Sequence, residues 1–433
     1  MKQSSISTKI LPVLFAIWAV DLIFFGSGRF LSIFGVQLRK ITFSLFCLFT
    51  IFDAVFARRR YSPRVLLTIT LLLLFFGVWV IVIPVVADGD VRYAVSDAMP
   101  LMSVVVYLIL PKDFLLFGWP RIRPLILGLI LSVAVVHIMI FVLALLDISA
   151  AERIGDLLKL WMEAQSGGRA TSVFLVPQPS GILRVYFGMS NLMFLGLYAG
   201  LKRTDRERWM TGLACILIVA LAFMTTLTRS LVMGCITSII VYVLTRNYFC
   251  RPRKVTFSRM FLAVGVPVLC SFFLSFTIIY DIAARFDIGR ITSDEIRGPE
   301  LLGLALKFLD SPVVGGGFGA TSFFVPDPTA PYSYDFTMVA LAMKLGVLGF
   351  TLAIMIAAAV LTAFKERTLS SKVRPIYAVF AGYLVSCFYN PYIMSSFGTF
   401  FLLILLFEYA GTMRGECRKC RRTLQPVAVP AAT

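Results

Sequence analysis

The run VLLTITLLLLFFGVWVIVIPVVA at residues 65–87 decides the fold class of this chain. It contains no charged side chain, and as an α-helix it is long enough to cross the ~30 Å of hydrocarbon in a bilayer. Because hydrocarbon offers no partner to backbone N–H and C=O groups, a segment of this kind crosses a membrane as a helix. Residues 65–87 therefore predict a transmembrane helix.

Comparable apolar runs recur on both sides of residues 65–87. Hydrophobic residues form 59% of the sequence and charged residues only 15%, far from the average of soluble domains. The pattern predicts an all-α polytopic membrane protein, in which residues 1–433 form one membrane domain with about twelve spans. The predicted spans are Ile10–Phe25, Leu38–Phe56, Val65–Ala87, Ala94–Leu110, Leu125–Leu146, Ile182–Gly200, Met210–Thr225, Ser230–Leu244, Met260–Tyr280, Phe336–Phe364, Ile376–Tyr389 and Met394–Ala410.

Lysine and arginine residues set the predicted orientation, because cytoplasmic connections carry an excess of them. Most of the 41 basic residues lie in alternate connections. These are the N-terminus, Arg58–Arg64, Lys112–Arg123, Lys202–Arg208, Arg246–Arg259, Lys365–Arg374 and the basic tail 413–433. We therefore expect a multi-pass membrane protein with both termini in the cytoplasm. The net charge of +18 then reflects topology and attraction to membrane lipid rather than nucleic-acid binding.

Two predicted outward loops stand out by their length, at residues 147–181 and 281–335. Loops this long in a compact protein are usually functional or disordered. The charge pattern of Ala151–Glu163 predicts an amphipathic surface helix in the first loop. In the second, Pro299–Asp310 predicts a helix, and Gly315, Gly316, Gly317 and Gly319 form a glycine-rich break after it. We expect the second loop to be a small structured cap rather than a linker.

The sequence excludes several kinds of chemistry. Neither long outward loop contains cysteine or histidine, so we expect no disulfide framework, metal or cofactor there. The single histidine, His137, lies in a predicted span, where bonding to a neighbouring helix is a simpler explanation than catalysis. The glycine-rich break lacks a following lysine, which excludes a phosphate-binding P-loop. The first run retains Asp21 and lacks a small-residue cleavage site, so we expect a retained span.

Arginine is the distinctive residue of the predicted outer face. Such arginines either pair with acids and snorkel to the interface, or bind phosphate oxygens with their guanidinium forks. Arg184 and Arg229 have no acidic neighbour in sequence and lie on the side that topology leaves poor in basic residues, which favours phosphate binding. For Arg290 and Arg297 both interpretations stand. All four are candidate ligands of a lipid diphosphate.

The residues that suggest a family lie between Arg297 and Phe350. This stretch reads Arg-Gly-Pro-Glu, then the glycine-rich break, then Tyr-Asp-Phe at 334–336, then Lys-Leu-Gly-Val-Leu-Gly-Phe at 344–350. Together with the Thr-Arg-Ser turn at 228–230 and the order of the long loops, it resembles the O-antigen ligase and polymerase superfamily (Wzy-type). The sequence is also compatible with an exopolysaccharide polymerase of the xanthan type.

The resemblance implies a metal-independent inverting glycosyltransferase of the GT-C type. Its substrates would be oligosaccharide repeat units on undecaprenyl diphosphate, polymerised into exopolysaccharide or O-antigen at the periplasmic face of the bacterial inner membrane. The loop at residues 281–335 would be a periplasmic loop that covers the active site. A chain-length regulator and a flippase of the same pathway would be partners, and nucleic acid would not. Tyr332 and Tyr334 are candidate glycan contacts, although aromatic residues there also suit an interfacial belt.

The chain departs from the family at one position. Many members carry a His-Asn pair where this sequence has Asp335 and Phe336. A histidine mechanism therefore does not carry over, and the departure favours a polymerase over a ligase. Asp335 and Arg229 are the candidate catalytic residues. Asp335 could also cap the following helix, and one residue could do both. The alternatives are an O-antigen ligase that transfers glycan to lipid A core and a transporter or flippase of lipid-linked glycans.

Overall fold

The computed structural model describes most of the chain and is mainly helical there. The described residues are 6–25, 32–33, 36–56, 61–150, 152–157, 173–177, 183–205, 208–245, 291–325, 330–363, 373–388 and 390–423. The predicted span Met260–Tyr280, the site candidate Arg290, residues 424–433 of the tail and parts of both long loops lie outside these ranges.

Thirteen labelled helices and two antiparallel strand pairs make up the described architecture. The helices are α1 (Ile6–Phe25), α2 (Leu38–Phe56), α3 (Pro63–Phe76), α4 (Ile83–Val86), α5 (Val91–Ile109), α6 (Trp119–Leu146), α7 (Met193–Thr204), α8 (Trp209–Thr225), α9 (Arg229–Leu244), α10 (Ile291–Asp310), α11 (Thr337–Ala363), α12 (Arg374–Phe388) and α13 (Ser396–Thr423). Wider π-helical turns precede α4 at Gly77–Val82 and α6 at Phe114–Gly118, and 3₁₀ turns occur at Ser190–Leu192 and Pro391–Met394. The strands are β1 (Ser32–Ile33) with β2 (Val36–Gln37), and β3 (Val173–Pro177) with β4 (Leu183–Phe187).

Four helical segments of the described chain are long and apolar enough to cross a membrane. They are Pro63–Val86, Val91–Ile109, Phe114–Leu146 and Thr337–Ala357. Four shorter apolar helices accompany them, Trp209–Thr225, Arg229–Leu244, Arg374–Phe388 and Ser396–Thr412. The predicted membrane character is confirmed to this extent, and the predicted number of about twelve spans stays a prediction.

Local sequence explains where the first long helices begin. The hydroxyl of Ser62 accepts the N–H of Val65 at 3.4 Å, and Pro63 occupies the first turn of α3, where its missing N–H is not needed. Asp90 caps α5 in the same way by accepting the N–H of Arg92 at 2.7 Å. The Ser62 cap marks the start of the helix that contains residues 65–76, and the Asp90 cap marks the start of the next long helix after the run at 65–87.

The pair α9 and α12 packs through small residues and brings the ends of both helices together. A side chain on Gly234 would collide with the Ser386 hydroxyl and the carbonyl oxygen of Gly382, so both glycines permit close approach of the two backbones. Ser386 also donates its hydroxyl to the carbonyl oxygen of Ser230 at 2.8 Å. The start of α9 is thereby fixed beside the end of α12, where the candidate site lies.

The first long loop corrects the predicted sixth span, Ile182–Gly200. Residues 183–187 form strand β4, which pairs with β3, and the helix begins only at Met193. Side-chain burial alternates along β4, with Val185 and Phe187 buried and Tyr186 only partly so, which is the period of a strand. Average hydropathy hides this alternation, and the all-α prediction therefore missed a hairpin. Within the predicted amphipathic helix Ala151–Glu163, residues 152–157 are helical and the rest lie outside the described residues.

The second long loop contains the predicted helix, which starts earlier than predicted. Helix α10 spans Ile291–Asp310 and includes Pro299 in its interior. It packs along α11, with Leu304 buried against Phe336, Ala340 and Met343. Helix α10 therefore lies against the N-terminal part of α11, and a cap formed by the whole loop stays a prediction.

Two polar clusters lie in the half of the bundle that contains the end of α9 and the start of α12. At the end formed by Arg374, the guanidinium pairs with Asp205 and lies 4.2 Å from the ring centre of Tyr242. Glu408 on α13 accepts hydrogen bonds from Trp119, Tyr198 and Lys202 in the same half of the bundle. Residues of the predicted cytoplasmic connections therefore group together, away from the start of α9 at Arg229.

Candidate functional site

The turn between α8 and α9 forms one wall of the candidate site. Arg184 on β4 donates from Nε to the carbonyl oxygen of Thr226 at 3.1 Å and from Nη2 to the Thr228 hydroxyl at 3.2 Å. Thr226 in turn accepts the N–H of Thr228 at 3.2 Å. Leu227 between them adopts the left-handed conformation with φ of 47°, which is rare for a residue with a branched side chain. Arg184 thus stabilises a strained turn.

Arg229 is the first residue of α9 and follows this turn directly. The helix start presents backbone N–H groups that have no partner within the helix, and the helix dipole makes this end positive. Arg184 and Arg229 therefore lie on the two sides of one turn, at the positive end of a helix. The sequence singled out both residues, and the structure brings them together.

Asn390 connects this turn to the start of α11. Its side-chain N–H donates to the Ser230 hydroxyl at 2.6 Å, and its main-chain carbonyl oxygen accepts the Thr337 hydroxyl at 2.9 Å. Thr337 is the first residue of α11, and its N–H binds the carbonyl oxygen of Asp335 at 2.8 Å. Hydrogen bonds through Asn390 and Thr337 therefore join Ser230, the residue after Arg229, to the main-chain carbonyl of Asp335, although the two ends lie far apart in sequence.

A pair of tyrosines lies under the same region. The hydroxyls of Tyr186 and Tyr392 are 3.1 Å apart, and the guanidinium carbon of Arg184 lies 5.5 Å from the centre of the Tyr186 ring. Burial raises the pKa of Tyr186, and the Asp335 carboxylate raises it further. The hydrogen bond to Tyr392 and the positive charge of Arg184 act in the opposite direction. Asp335 and Arg184 therefore act electrostatically on the same hydroxyl.

Asp335 is paired with Arg297 of α10, with 3.7 Å between its Oδ2 and the arginine Nε. Burial raises the pKa of Asp335, and the neighbouring Arg297 guanidinium opposes this rise. Phe336, rather than Asp335, occupies the position immediately before α11. The Asp335 side chain pairs with Arg297 and does not fill the N-terminal cap position of α11 that the sequence suggested for it. Another residue supplies that cap.

Glu300 of α10 supplies that cap. Its Oε1 accepts the N–H of Phe336 at 3.3 Å, and the side chain is 0% exposed. Its second oxygen, Oε2, is buried and makes no hydrogen bond to any residue that the structure describes. Burial, followed by the charge of Asp335, raises the pKa of Glu300 to about 7. Glu300 falls in the first turn of the helix predicted at Pro299–Asp310, and only the packing of α10 on α11 shows its contact with the start of α11.

The glycine-rich break packs against backbone rather than lining the site. Gly315, Gly317 and Gly319 have positive φ angles of 76°, 80° and 77°. Gly317 donates its N–H to the carbonyl oxygen of Lys344 at 2.8 Å, beside Gly346, whose φ of 60° kinks α11. A β-carbon at Gly315 would collide with the backbone of Lys344. Gly315 therefore permits close approach to α11. A β-carbon would meet Pro84 of α4 at Gly317, Ala94 of α5 at Gly319, and Ala320 of the same segment at Gly316.

A buried ion pair holds the segment before Asp335. Lys344 Nζ lies 2.7 Å from Asp97 Oδ2, with both side chains 3% exposed, and it donates to the carbonyl oxygen of Tyr332 at 2.8 Å. Asp97 also accepts the N–H of Gly319 at 2.9 Å. One ion pair between α5 and α11 thus fixes both ends of the segment 319–332.

The two tyrosines predicted to contact glycan have different surroundings. Tyr332 is partly exposed, and its ring centre lies 5.7 Å from that of Tyr93. Tyr334 is buried, and its hydroxyl accepts the N–H of Ser322 at 2.6 Å. In this arrangement Tyr332 is the tyrosine that can present a ring face to a sugar, and Tyr334 packs inside.

An apolar groove lies between α10, α11 and α12. Its volume is about 380 Å³, and its lining consists of Ala305, Phe308, Leu309, Met338, Val339, Ala342 and Phe388. In the sequence, Met338 lies three positions after Asp335, and Phe388 lies two positions before Asn390.

His137 lies outside this arrangement. Its Nδ1 is 2.8 Å from the carbonyl oxygen of Val133 and therefore carries the proton, so Nε2 accepts the Ser190 hydroxyl, also at 2.8 Å. This contact agrees with the interpretation of His137 as a polar residue bonded to a neighbouring element. Within the described residues, no group of three or more metal-ligating side chains could hold a metal ion.

Comparison with protein-family models, with curated proteins and with solved structures finds no match. The site must therefore be interpreted from its geometry. It combines two arginines at a helix start, an aspartate paired with a third arginine, and an apolar groove. Such a set can bind a phosphorylated, lipid-bearing molecule and accept a proton from a hydroxyl.

Proposed function

We propose that this chain is a polysaccharide polymerase. It joins oligosaccharide repeat units carried on undecaprenyl diphosphate into exopolysaccharide or O-antigen. The observation that supports this most directly is the hydrogen-bonded connection from the Arg184–Arg229 turn through Asn390 to Asp335. It joins cations suited to a diphosphate and a carboxylate suited to a hydroxyl in one place.

Arg184 and Arg229 act on the leaving group. The guanidinium forks match the oxygens of a diphosphate, and the N–H groups at the start of α9 add to the positive field. Charge builds up on the diphosphate as its bond to the sugar breaks, so fixed cations there lower the barrier. Arg297 has a different role, because its guanidinium pairs with Asp335 and orients that carboxylate.

Asp335 acts on the acceptor. The hydroxyl oxygen of the acceptor sugar attacks the anomeric carbon of the donor, and its proton passes to Asp335. The bond between that carbon and the diphosphate oxygen breaks, and the lipid diphosphate leaves with the electron pair. Attack opposite the leaving group inverts the anomeric centre. The reaction uses no cofactor and no metal, since the leaving group is already activated.

The apolar groove suits the lipid part of the donor. Its lining by Phe308, Met338 and Phe388 gives an apolar path between α10, α11 and α12. On the proposed topology of twelve spans, the site faces the periplasm and both termini face the cytoplasm of the bacterium. This assignment rests on the basic residues of the predicted cytoplasmic connections. Tyr332 would then lie where the growing glycan leaves the site.

A transporter or flippase of lipid-linked glycans is the second candidate. Its support is the buried pair Asp97 and Lys344, because ionisable groups inside membrane helices often mark a transport path. Both charges, however, hold the glycine-rich segment and Tyr332 in place. A ligase that transfers glycan to lipid A core would share the arginines and differ in its acceptor.

Purified protein in detergent or proteoliposomes, supplied with lipid-linked repeat units and a chelator, tests the proposal. No nucleotide or ion gradient is provided. A ladder of longer glycans on lipid diphosphate supports a polymerase. Transfer only to added lipid A core identifies a ligase. Movement of substrate across the proteoliposome without any ladder identifies a flippase and contradicts the proposal.

A further inference from the structure

Two carboxyl groups and one cation meet where α10 contacts the start of α11. Arg297 and Glu300 lie one helical turn apart on α10, so they share a face. Asp335 pairs with Arg297, and Glu300 binds the N–H of the next residue, Phe336. Within the described contacts of these two acids, Arg297 is the cation that both carboxylates face.

The two carboxyl groups differ in their access to water. The Asp335 side chain is 45% exposed, whereas Glu300 is 0% exposed. Glu300 lies among Leu304, Tyr334 and Phe336, which belong to the apolar contact between α10 and α11. A charge in such surroundings is costly unless both oxygens have partners. Oε2 of Glu300 has none among the described residues, so a proton on this oxygen removes the cost.

We propose that Glu300 is a positioning residue that holds a proton, so that its neighbour Asp335 alone carries the charge that Arg297 orients toward the acceptor hydroxyl. This inference rests on the proposed polymerase function. The neutral Glu300 keeps the Phe336 N–H capped without competing with Asp335 for Arg297. When Glu300 loses its proton, a second negative charge appears beside Asp335, and Arg297 is shared between two carboxylates.

The electrostatics of the contact agree with this division. Burial, followed by the charge of Asp335, raises the pKa of Glu300 to about 7, while Arg297 opposes the rise. The titratable and charged groups that face Glu300 are Asp335 and Tyr334 from the segment before α11, and Arg297 from α10. Tyr334 stays neutral throughout, since burial raises its pKa further.

Glu300→Gln is the matched variant. Glutamine keeps the carbonyl oxygen that accepts the Phe336 N–H and cannot ionise. For wild type, one ionisation with a pKa of about 7 predicts a fall in kcat/KM of about tenfold between pH 6 and pH 8. We expect the variant to polymerise repeat units at pH 6 as wild type does and to change less than about twofold up to pH 8. An unchanged tenfold fall in the variant, or inactivity of the folded variant at every pH, overturns the proposal.

Infrared titration of the purified protein provides a second measurement that does not depend on activity. Wild type should show a protonated-carboxyl band that disappears near pH 7 and is absent from Glu300→Gln. In Asp335→Asn the same band should disappear at lower pH, because the neighbouring charge is gone. Absence of such a band from wild type overturns the inference, even if polymerisation occurs. The band without any glycan ladder supports the protonated Glu300 and refutes the polymerase function instead.

Discussion

The side-chain N–H of Asn390 donates to the hydroxyl of Ser230 at 2.6 Å, which fixes the residue after Arg229 to the connection between α12 and α13. The carbonyl oxygen of the same asparagine holds Thr337 at the start of α11. One residue thus connects the helix that begins with Arg229 to the helix that follows Asp335. The relative position of the two candidate catalytic residues depends on it.

Asn390→Ala should weaken polymerisation more than it weakens the fold. A hydrogen bond of this kind contributes about 1 kcal/mol to stability, and misplacement of Arg229 relative to Asp335 adds a loss of kcat. We expect about a tenfold or larger fall in the rate of ladder formation, with protein abundance in the membrane near normal. Ser132→Ala is the control, because that hydroxyl is exposed and binds only its own helix. Equal rates for Asn390→Ala and the control would contradict the role of Asn390.

Arg184→Ala should abolish polymer formation, and Arg184→Lys should restore only part of it. Lysine keeps the charge but lacks the two-pronged geometry that binds Thr226 and Thr228 and matches a diphosphate. Charged hydrogen bonds contribute ~1.5–3 kcal/mol, so a loss of about tenfold to a hundredfold is expected for lysine. The measurement is ladder formation at matched protein abundance. Arg153→Ala is the control, since Arg153 is exposed and bonds only to Ser149. Normal polymer from Arg184→Ala refutes diphosphate binding by this residue.

Asp335→Asn should lose at least about a hundredfold of its activity, because an amide cannot accept the proton of the acceptor hydroxyl. The fold should be little affected, since Glu300 rather than Asp335 binds the N–H of Phe336. Single-turnover transfer to a synthetic acceptor measures the loss without contributions from product release. Asp310→Asn on the exposed end of α10 is the matched control. If Asp335→Asn transfers glycan at the wild-type rate, another group is the base.

The sequence predicted most helices well because membrane helices are a local property. The bounds predicted for Leu38–Phe56 are those of α2, and the run at residues 65–87 lies within α3, α4 and the turn between them except for its last residue. Strand β4 was missed because Leu183–Phe187 lies just before the apolar helix α7, so an average over a span-length window merges the two. The alternating burial of its side chains distinguishes the strand.

The candidate site was predictable only in part. Arg184 and Arg229 were identified from residue type and topology, and Asp335 was identified from the family resemblance. Glu300 and Asn390 were not, because an acid in a first helical turn and an asparagine between two spans have many ordinary roles. Their importance arises from the packing of α10 on α11 and of α9 on α12, which local sequence does not specify. A signal was present for Asn390, since it directly precedes Pro391 at a break between apolar runs.

The Asp97–Lys344 pair should be strongly coupled in stability. Replacing one partner with a neutral residue leaves a buried charge alone, which costs ~3–5 kcal/mol. We expect Asp97→Asn and Lys344→Met each to lower the thermal midpoint in detergent. The midpoint of the double variant should be well above the value expected if the two losses were additive. The exposed pair Lys307 and Asp310 is the control, where coupling should be below ~1 kcal/mol. Additive losses at Asp97 and Lys344 would show that the two charges do not stabilise each other.

The stability of the protein should fall as pH rises toward neutrality, and Glu300 should cause part of that fall. Its pKa is about 7 in the folded protein against the ordinary value of 4.5, so between these values the folded state keeps a proton that the unfolded state has lost. Where the folded state binds more protons, the free energy of unfolding decreases with rising pH. Each tenfold difference in proton affinity corresponds to about 1.4 kcal/mol, so by pH 8 the free energy of unfolding should have fallen by ~3 kcal/mol because of Glu300.

Thermal unfolding in detergent from pH 5 to pH 8 measures this effect as the difference between wild type and Glu300→Gln. Wild type should lose midpoint temperature across the range, and the variant should lose distinctly less and be the more stable of the two at pH 8. A residual slope in the variant is expected, because burial also raises the pKa of Asp335, and that carboxylate contributes in the same direction. Asp335→Asn should remove this residual slope when combined with Glu300→Gln. Parallel curves for wild type and Glu300→Gln would mean that Glu300 is already ionised in the folded protein, and its proton could then play no part in orienting Asp335.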